Sequence, residues 1–499
     1  MKKVYVGLDI GTSCVKAALF DESGKLIHAA SSPLQVLMPE VGWAEQEPDD
    51  YWNATCAVLK DLIKKVDSPE ISAVGLSGQC PSHVLVDADY RTLGNAIIWR
   101  DQRAQDQAKW MNQQVAPAQA MEWLGNSNLG DATSPPARLL WLKENRPSDW
   151  AKAMAVLQPK DFVALRLTGK VATDCFSAYC LANPAMGTYN STYFKALGLP
   201  VEKMPETMSP SEVIGTVTKK AALATGLNPG TPVVIGTIDA YCDNLACGAI
   251  FPGRAVDIAG TSEIVSLGVE SSVEADGVFP AQLGNEGMFL CGPTQAGGET
   301  LKWLAHSFYQ RSQDSIPYGA MEHEAMGTPP GAEGLLFLPY LNGERAPIWD
   351  AKAVGAFVGL TLVHDRRHFT RAVYEGVAFA VRHILEISET AAKVSTSEII
   401  VGGGGSRSTF WNQIKADILQ KTVRPSVVSE TACLGAAILA SVGMQNQANI
   451  QAACQEMIQL KSGIPPNSKT AGMYNTMYSH YRGFYPALKM VRSEKAAKP

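Results

Sequence analysis

One pattern occurs twice in this chain and constrains its fold more than any other. Residues 4–13 read VYVGLDIGTS and residues 255–262 read AVDIAGTS, each running on into a second apolar stretch. In both, an apolar strand carries an aspartate near its end, breaks on glycine, threonine and serine, and resumes as a strand. The two copies are Asp9-Ile10-Gly11-Thr12-Ser13 and Asp257-Ile258-Ala259-Gly260-Thr261-Ser262. A plain hairpin needs neither a carboxylate at the end of a buried strand nor hydroxyls beside the turn glycine. An echo about 250 residues apart points to two related domains, each with one hydroxyl-bearing glycine turn. The alternative is two unrelated hairpins that share a tripeptide.

Length agrees with the first reading, because 499 residues exceed what one core usually organises. The boundary is expected near 245–250, giving domains 1–245 and 246–499. Hydrophobic residues at 46% and charged residues at 18% are ordinary for a globular protein. A net charge of −5 argues against nucleic acid, whose phosphates call for a basic face. A loosely basic tail (Lys489, Arg492, Lys495, Lys498) reads as a solvated terminus. The start offers no apolar core for a signal peptide, and no run of about 20 apolar residues suggests a membrane span. Ten cysteines without a C-x-x-C read as buried thiols in a reducing compartment. The expectation is a cytoplasmic protein with neither membrane nor nucleic acid as partner.

The opening reads as three strands, 3–10, 14–20 and 25–30, with the second turn at Ser23-Gly24-Lys25. A helix is expected over 45–66, with Asp49 or Asp50 near its N-cap and Trp52, Cys56, Leu59 and Ile63 on one face. A strand follows at 71–76. This order departs from a dinucleotide fold, which alternates strand and helix from the start. A third glycine turn, 402–405, ends a strand and opens a helix with Phe410, Ile414, Ile418 and Leu419 inward. It is not a dinucleotide fingerprint, because Arg407 stands where the last glycine would be, and no P-loop occurs. The HDRRH run (His364, His368) has zinc-like spacing but lacks a third ligand, and it opens an amphipathic helix. The aromatic stretch 473–488 reads as a C-terminal helix packed on the second domain.

With these turns placed, further motifs follow in order: SGQCP (77–81), IIWRDQR (97–103), LQPKDFVALRLTG (157–169), VVIGTIDA (233–240), AGGETLKW (296–303), FLPYLNGERAP (337–347) and GGGGSRS (402–408). The ordered set, reaching to about residue 445, resembles the FGGY carbohydrate kinases, nearest to the xylulokinases. The resemblance implies an α/β fold of two actin-like (ribonuclease H-like) domains with a nucleotide and substrate cleft between them, related to actin, hexokinase and the heat-shock chaperone ATPases. It implies ATP-dependent phosphorylation of a sugar hydroxyl with Mg²⁺, on a ketopentose or a related ketose or polyol. The first domain would bind sugar and supply the catalytic aspartate, and the second would bind ATP. Closure of the two domains on their ligands is expected, and a monomer or a homodimer is left open.

Asp239 ends the apolar run TPVVIGTID, which puts its carboxylate at a strand end. It matches the family's catalytic aspartate, the base that accepts the sugar hydroxyl proton; a helix N-cap is the plainer role and does not exclude it. Asp243, one turn on, is set aside on family spacing. By resemblance Asp9 holds Mg²⁺ through water. Gly11, Thr12 and Ser13 would donate to phosphate from one domain, and Gly260 and Thr261 from the other. Lys16 would neutralise charge nearby, or is simply a surface lysine on an edge strand. Gly298, Gly404 and Ser408 align with positions that face the nucleotide, the last two near adenine. On the acceptor side, Gln79, Cys80, Pro81, Asp101 and Asp239 are the expected contacts.

Xylulokinases usually read Gly-Gln-Met-His where this chain has Gly78-Gln79-Cys80-Pro81. The histidine expected on the substrate has become proline, which puts D-xylulose in question. His83 would compensate, or is structural. Arg103, Lys160 and Asp161 are substrate supports or ion pairs. The rival readings are a kinase for glycerol, erythritol, ribulose, gluconate or a hexulose, and a chaperone-like or filament-forming binding ATPase without a small acceptor. A regulator that has lost catalysis is disfavoured, since Asp9, Thr12, Asp239 and Thr261 are all present.

Overall fold

The structure, a computed structural model, describes residues 3–65, 70–125, 129–183, 186–283, 286–309 and 316–495. The first sheet begins with β1 (Val4–Ile10), β2 (Cys14–Asp21) and β3 (Leu26–Pro33), followed by helix α1 (Pro48–Lys64) and strand β4 (Ile71–Gly78). Helix α2 (Pro159–Thr168), strands β5 (Val213–Thr216) and β6 (Pro232–Ile238), and helix α3 (Asp239–Cys247) complete this part. The strand order is β5-β6-β4-β1-β2-β3.

The second sheet is built from β7 (Ala255–Ala259), β8 (Glu263–Val269), β9 (Phe279–Leu283) and β10 (Gly287–Pro293). Helices α4 (Gly298–Phe308) and α5 (Arg366–Ala392) precede β11 (Glu398–Gly402), α6 (Thr409–Leu419) and β12 (Thr422–Pro425). Helices α7 (Thr431–Gly443) and α8 (Ala471–Lys495) close the chain. The strand order here is β9-β10-β8-β7-β11-β12.

Five strands of each sheet match in order and sense. In β3-β2-β1-β4-β6 the first two pairings are antiparallel and the next two parallel. In β10-β8-β7-β11-β12 the same holds. The repeated hairpin is thus the visible part of a repeated sheet. Strands β1 and β7 lie in the sheet interior, which is why both read as unbroken apolar runs rather than alternating ones.

The chain divides into two compact units, 1–246 with 432–457, and 247–431 with 458–499. The segment 432–457 lies beyond the expected boundary yet packs in the first unit. Glycine makes this packing close. A Cβ on Gly7 would stand 1.8 Å from the Cys433 carbonyl oxygen, and one on Gly75 2.0 Å from that of Ala436. Helix α7 therefore lies backbone to backbone on β1 and β4.

Helix α1 starts earlier than the aspartates suggested. Pro48 takes its first turn, the N-cap is Glu47, and Asp49 and Asp50 sit in that turn, where the helix dipole favours negative charge. The buried stripe accordingly rotates to Tyr51, Thr55, Val58, Leu59 and Leu62. Trp52, Cys56 and Ile63 are only half-buried. Helix α8 places Tyr474, Tyr478 and Tyr481 in the second unit's core against Phe379, as its aromatic spacing predicted. None of the ten cysteines is joined in a disulfide. Among the described residues no helix is long and apolar enough to cross a membrane.

Candidate active site

In the first unit, carboxylates gather at the ends of β1 and β6. Asp9, the penultimate residue of β1, is opposite Ser77 of β4 in the parallel register, and the Ser77 hydroxyl donates to its Oδ1 at 3.1 Å. On the antiparallel side Asp9 is opposite Lys16, so the two side chains share a face. Asp239 opens α3 directly after β6, and its Oδ1 accepts the Ala240 N–H at 2.7 Å. Burial, and then the charges of Asp9 and Asp243, hold the Asp239 carboxyl well above the ordinary carboxylate range. The capping bond leaves the other carboxylate oxygen for a different partner. The residue is only partly buried, so the carboxyl with raised proton affinity keeps some access to solvent.

The Gly-Thr-Ser turn of β1 and β2 is tied into a polar network. The Thr12 hydroxyl donates to Gln79 Oε1 at 3.3 Å and accepts from Trp99 Nε1 at 2.9 Å. Gln79 donates to Gln46 Oε1 at 2.7 Å, and Gln46 returns a bond to the Thr12 carbonyl at 2.8 Å. Tyr51 donates to the same Gln46 oxygen at 3.0 Å. The Gly11 N–H is spent on the Cys14 carbonyl at 3.2 Å, closing the turn. Ser13 alone of the three is exposed.

Gln79 is buried in this network, whereas Cys80 and Pro81 after it are half-exposed and joined by a cis peptide bond. The Cys80 thiol lies 3.7 Å from the Ser177 carbonyl, and burial with the charges of Asp174 and Asp239 pushes its pKa well up. Nearby, Phe176 stacks on Tyr241 at 5.1 Å between ring centroids. Arg138 gathers this side: its guanidinium donates to the carbonyls of Pro81 at 2.8 Å, Asp101 at 3.2 Å and Trp99.

Asp101 is turned away from any acceptor. Its carboxylate is fully buried, accepts the Ala44 N–H at 2.5 Å and pairs with Arg103 at 2.7 Å. Arg103 also meets Glu45 at 2.8 Å and lies 3.7 Å over the Trp43 ring. The ion-pair alternative describes this motif, because every polar atom is consumed inside the protein. The same holds for Lys160, fully buried between Asp161 at 2.6 Å and Asp174 at 2.8 Å. His83 is buried with neither ring nitrogen hydrogen-bonded among the described residues. Burial and the Arg138 charge lower its pKa to about 3, as expected of a ring held in the interior. His364 Nδ1 accepts the Thr361 N–H at 2.8 Å, and His368 Nδ1 pairs with Asp365 at 2.9 Å.

In the second unit three glycine turns converge. Gly260 and Thr261 are exposed; the Gly260 carbonyl accepts the Gly298 N–H at 3.0 Å, and that of Thr261 accepts the Glu299 N–H at 2.9 Å. The third turn packs behind them, where a Cβ on Gly405 would meet that of Ala259 at 2.7 Å. Gly404 is different: it is exposed, and a Cβ there meets none of the described residues within 4 Å. Packing among the described residues does not account for that glycine. Ser408 caps α6, its Oγ accepting the Trp411 N–H at 3.0 Å. The result is a small polar surface of main-chain groups and one free-standing threonine hydroxyl at a helix N-terminus, suited to anions.

Gln46, Trp99, Arg138, Asp174 and Lys415 escaped the sequence reading. Only the motif company of Trp99 hinted at it; the others lie outside glycine turns and act through partners far away in sequence.

Comparison with known proteins closes the question of family. The model of the FGGY carbohydrate kinase N-terminal domain matches residues 4–246, and that of the C-terminal domain residues 255–444. The chain is 29% identical to the xylulose kinase of Bacillus subtilis (strain 168) over 498 residues, covering 98% of this chain and 97% of that one. It is also 29% identical to the L-xylulose/3-keto-L-gulonate kinase of Escherichia coli (strain K12), covering 98% of each. The crystal structure of gluconate kinase from Lactobacillus acidophilus superposes with a TM-score of 0.85 at 27% identity, again covering 98% of both chains. Two family domains in their proper order, on two sheets of one topology, make this chain a member of the FGGY family of carbohydrate kinases, of xylulokinase-like type.

Proposed function

We propose that the chain transfers the γ-phosphoryl group of ATP to a hydroxyl of a ketose or polyol of xylulose-like size, with Asp239 as general base. The observation that carries this is the Asp239 carboxyl: partly buried, anchored through one oxygen to the Ala240 N–H, and raised in proton affinity by burial and by Asp9 and Asp243. A base so placed takes the proton of an attacking hydroxyl while the capping bond fixes its orientation.

Mg²⁺ fits the residues around Asp9. That carboxylate faces Lys16 across the ladder and lies close enough to Asp239 to raise its proton affinity. Among the described residues no group of three or more His, Cys, Asp or Glu side chains has metal-holding geometry. An ion there would be held by Asp9, water and phosphate oxygens, which is how Mg²⁺ is commonly bound. When bound it supplies charge neutralisation to the transferring phosphate. Ser13 and the 11–13 turn, with Lys16, would face phosphate from the first unit, and Gly260 and Thr261 from the second. Gly298, Gly404 and Ser408 would line the nucleotide. The Thr12 hydroxyl has given its one proton to Gln79, so its part is to hold the turn rather than to donate outward.

Acceptor contacts are assigned to Cys80, Pro81 and Asp239, with Gln79 holding the loop from behind. The named relatives act on xylulose, 3-keto-L-gulonate or gluconate, so pentuloses, keto-hexonates and aldonates head the candidates. A coupled ADP-release assay over pentuloses, hexuloses, polyols and aldonates, with and without Mg²⁺, is expected to give one strong Mg²⁺-dependent acceptor. Asp239→Asn should then cut turnover by roughly 10²- to 10⁴-fold while ADP still binds. ATP hydrolysis that ignores every acceptor, or an active Asp239→Asn variant, overturns the reading.

A further inference from the structure

The second unit buries three charges directly beneath its Gly-Thr-Ser turn. Lys415 of α6 is 1% exposed; its Nζ lies 2.6 Å from Asp257 Oδ2 and 2.9 Å from Glu263 Oε2. Both carboxylates are 0% exposed, and Trp411 covers the ammonium at 4.5 Å from its ring centroid. The placement of the acids is specific. Asp257 sits on the incoming strand, three residues before Gly260, and Glu263 is the first residue of the outgoing one. Ala259 and Glu263 form the last rung of the ladder before the turn. One ammonium therefore holds both stems of the hairpin.

The same group reaches the other two glycine turns. The Glu263 N–H donates to the Ala296 carbonyl at 2.8 Å, and the Glu263 carbonyl accepts from Thr294 N–H at 2.9 Å, which fixes the strand leading to Gly298. Lys415 itself rides on the helix that follows the 402–405 turn, where a Cβ on Gly403 would come within 2.8 Å of the Ala259 oxygen. Contacts this close leave no room for a side chain where the third turn meets the first.

Stability alone does not account for such a group. Replacing a buried ion cluster by apolar side chains of similar volume is often neutral or stabilising. Two further oxygens, Asp257 Oδ1 and Glu263 Oε1, are buried with no hydrogen-bond partner among the described residues, an added cost. Burial, and then the neighbouring Asp257, push the Glu263 carboxyl well above its ordinary range. What directional bonds to an ammonium supply, and apolar packing does not, is a fixed register between strand, strand and helix.

We propose that the Lys415–Asp257–Glu263 triad is a positioning element for the nucleotide, holding the 260–262, 296–299 and 402–405 turns at the spacing that phosphate and base require. This rests on the reading that these turns face ATP. The triad touches no ligand; it acts through the main chain.

The test uses the full chain and ADP titrated by calorimetry, alongside thermal unfolding and steady-state kinetics. A neutral apolar replacement, Asp257→Leu with Glu263→Met and Lys415→Met, removes the charges and keeps the volume. It is expected to melt near the native chain yet bind ADP at least tenfold more weakly, with KM for ATP raised and KM for the acceptor unchanged. Glu263→Gln, which keeps the Lys415–Asp257 pair, decides the matter should the triple variant fail to fold; at least a threefold loss of ADP affinity is expected. Native ADP affinity in a folded triple variant, or in Glu263→Gln, overturns the proposal. Absence of ADP binding to the native chain instead removes the nucleotide reading on which it stands.

Discussion

The hairpin of β1 and β2 and the hairpin of β7 and β8 occupy the same place in two sheets of one topology, and both turn on Gly-Thr-Ser. Their aspartates nevertheless serve opposite ends. Asp9 stands two residues before its turn glycine, near Asp239, whose proton affinity its charge raises. Asp257 stands three residues before, and that one-residue offset takes it to the other face of the strand, inward onto Lys415. One aspartate faces Lys16 across the ladder and Ser77 beside it, while the other is closed off by a buried ammonium. A shared motif therefore fixes the backbone, and the step from aspartate to turn decides which face of the sheet the carboxylate takes.

The largest separation between the two should appear on deleting the acids. Asp257→Ala strands the Lys415 ammonium and is expected to lower the unfolding free energy by about 3–5 kcal/mol. Asp9→Asn, by contrast, should leave the urea midpoint nearly unchanged and lower kcat about hundredfold or more at saturating substrates. A stable Asp257→Ala protein, or an unstable but fully active Asp9→Asn protein, would break the comparison.

Acid pH sharpens it next. His83 lies in the first unit with a folded pKa of about 3, below the roughly 6.5 of a free imidazole. A depressed base contributes stability that is complete above pH 6.5 and drains away as pH falls toward 3. Between pH 7 and 5 the loss should approach about 2 kcal/mol. Urea titrations of the native chain and His83→Leu at the two pH values should show a flatter dependence in the variant. Equal slopes would mean that the ring is solvated in the native chain.

The smallest effects concern the turn hydroxyls. Thr12→Val removes the acceptor of the part-buried Trp99 N–H and should cost about 1 kcal/mol. Thr261→Val, at an exposed position, should stay within about 0.5 kcal/mol in stability while weakening ADP binding. Chemical denaturation of both variants, paired with ADP titration, separates the two roles.

Much of this was legible in the sequence because glycine, aspartate and hydroxyl residues mark turns by local chemistry. The strands at 4–10 and 14–21, the Asp239 strand end and the third glycine turn all follow from residues within ten positions of one another. What the sequence hid is pairing at a distance. Nothing near Asp257 reveals that Lys415 will neutralise it, and nothing in WRDQR says whether Asp101 faces a sugar or Arg103. The α1 stripe turns toward Tyr51, Val58 and Leu62 because tertiary packing in the first unit's core, not local spacing, selects the buried face. His83 looked available beside Cys80 and Pro81, yet β-bridge bonds between His83 and Ile97 draw it into the interior.

Helix α7 has a consequence for how the protein is made. The first unit emerges from the ribosome with its strands complete by residue 246 but without the segment 432–457 that covers β1 and β4. At common elongation rates of about 5–20 residues per second, that face waits roughly 10–40 s for its cover. During that interval the nascent chain carries an unfinished surface shaped for a helix that has not yet been synthesised. A ribosome-bound chaperone, or the second unit folding in the meantime, has that window in which to keep the groove from finding another partner.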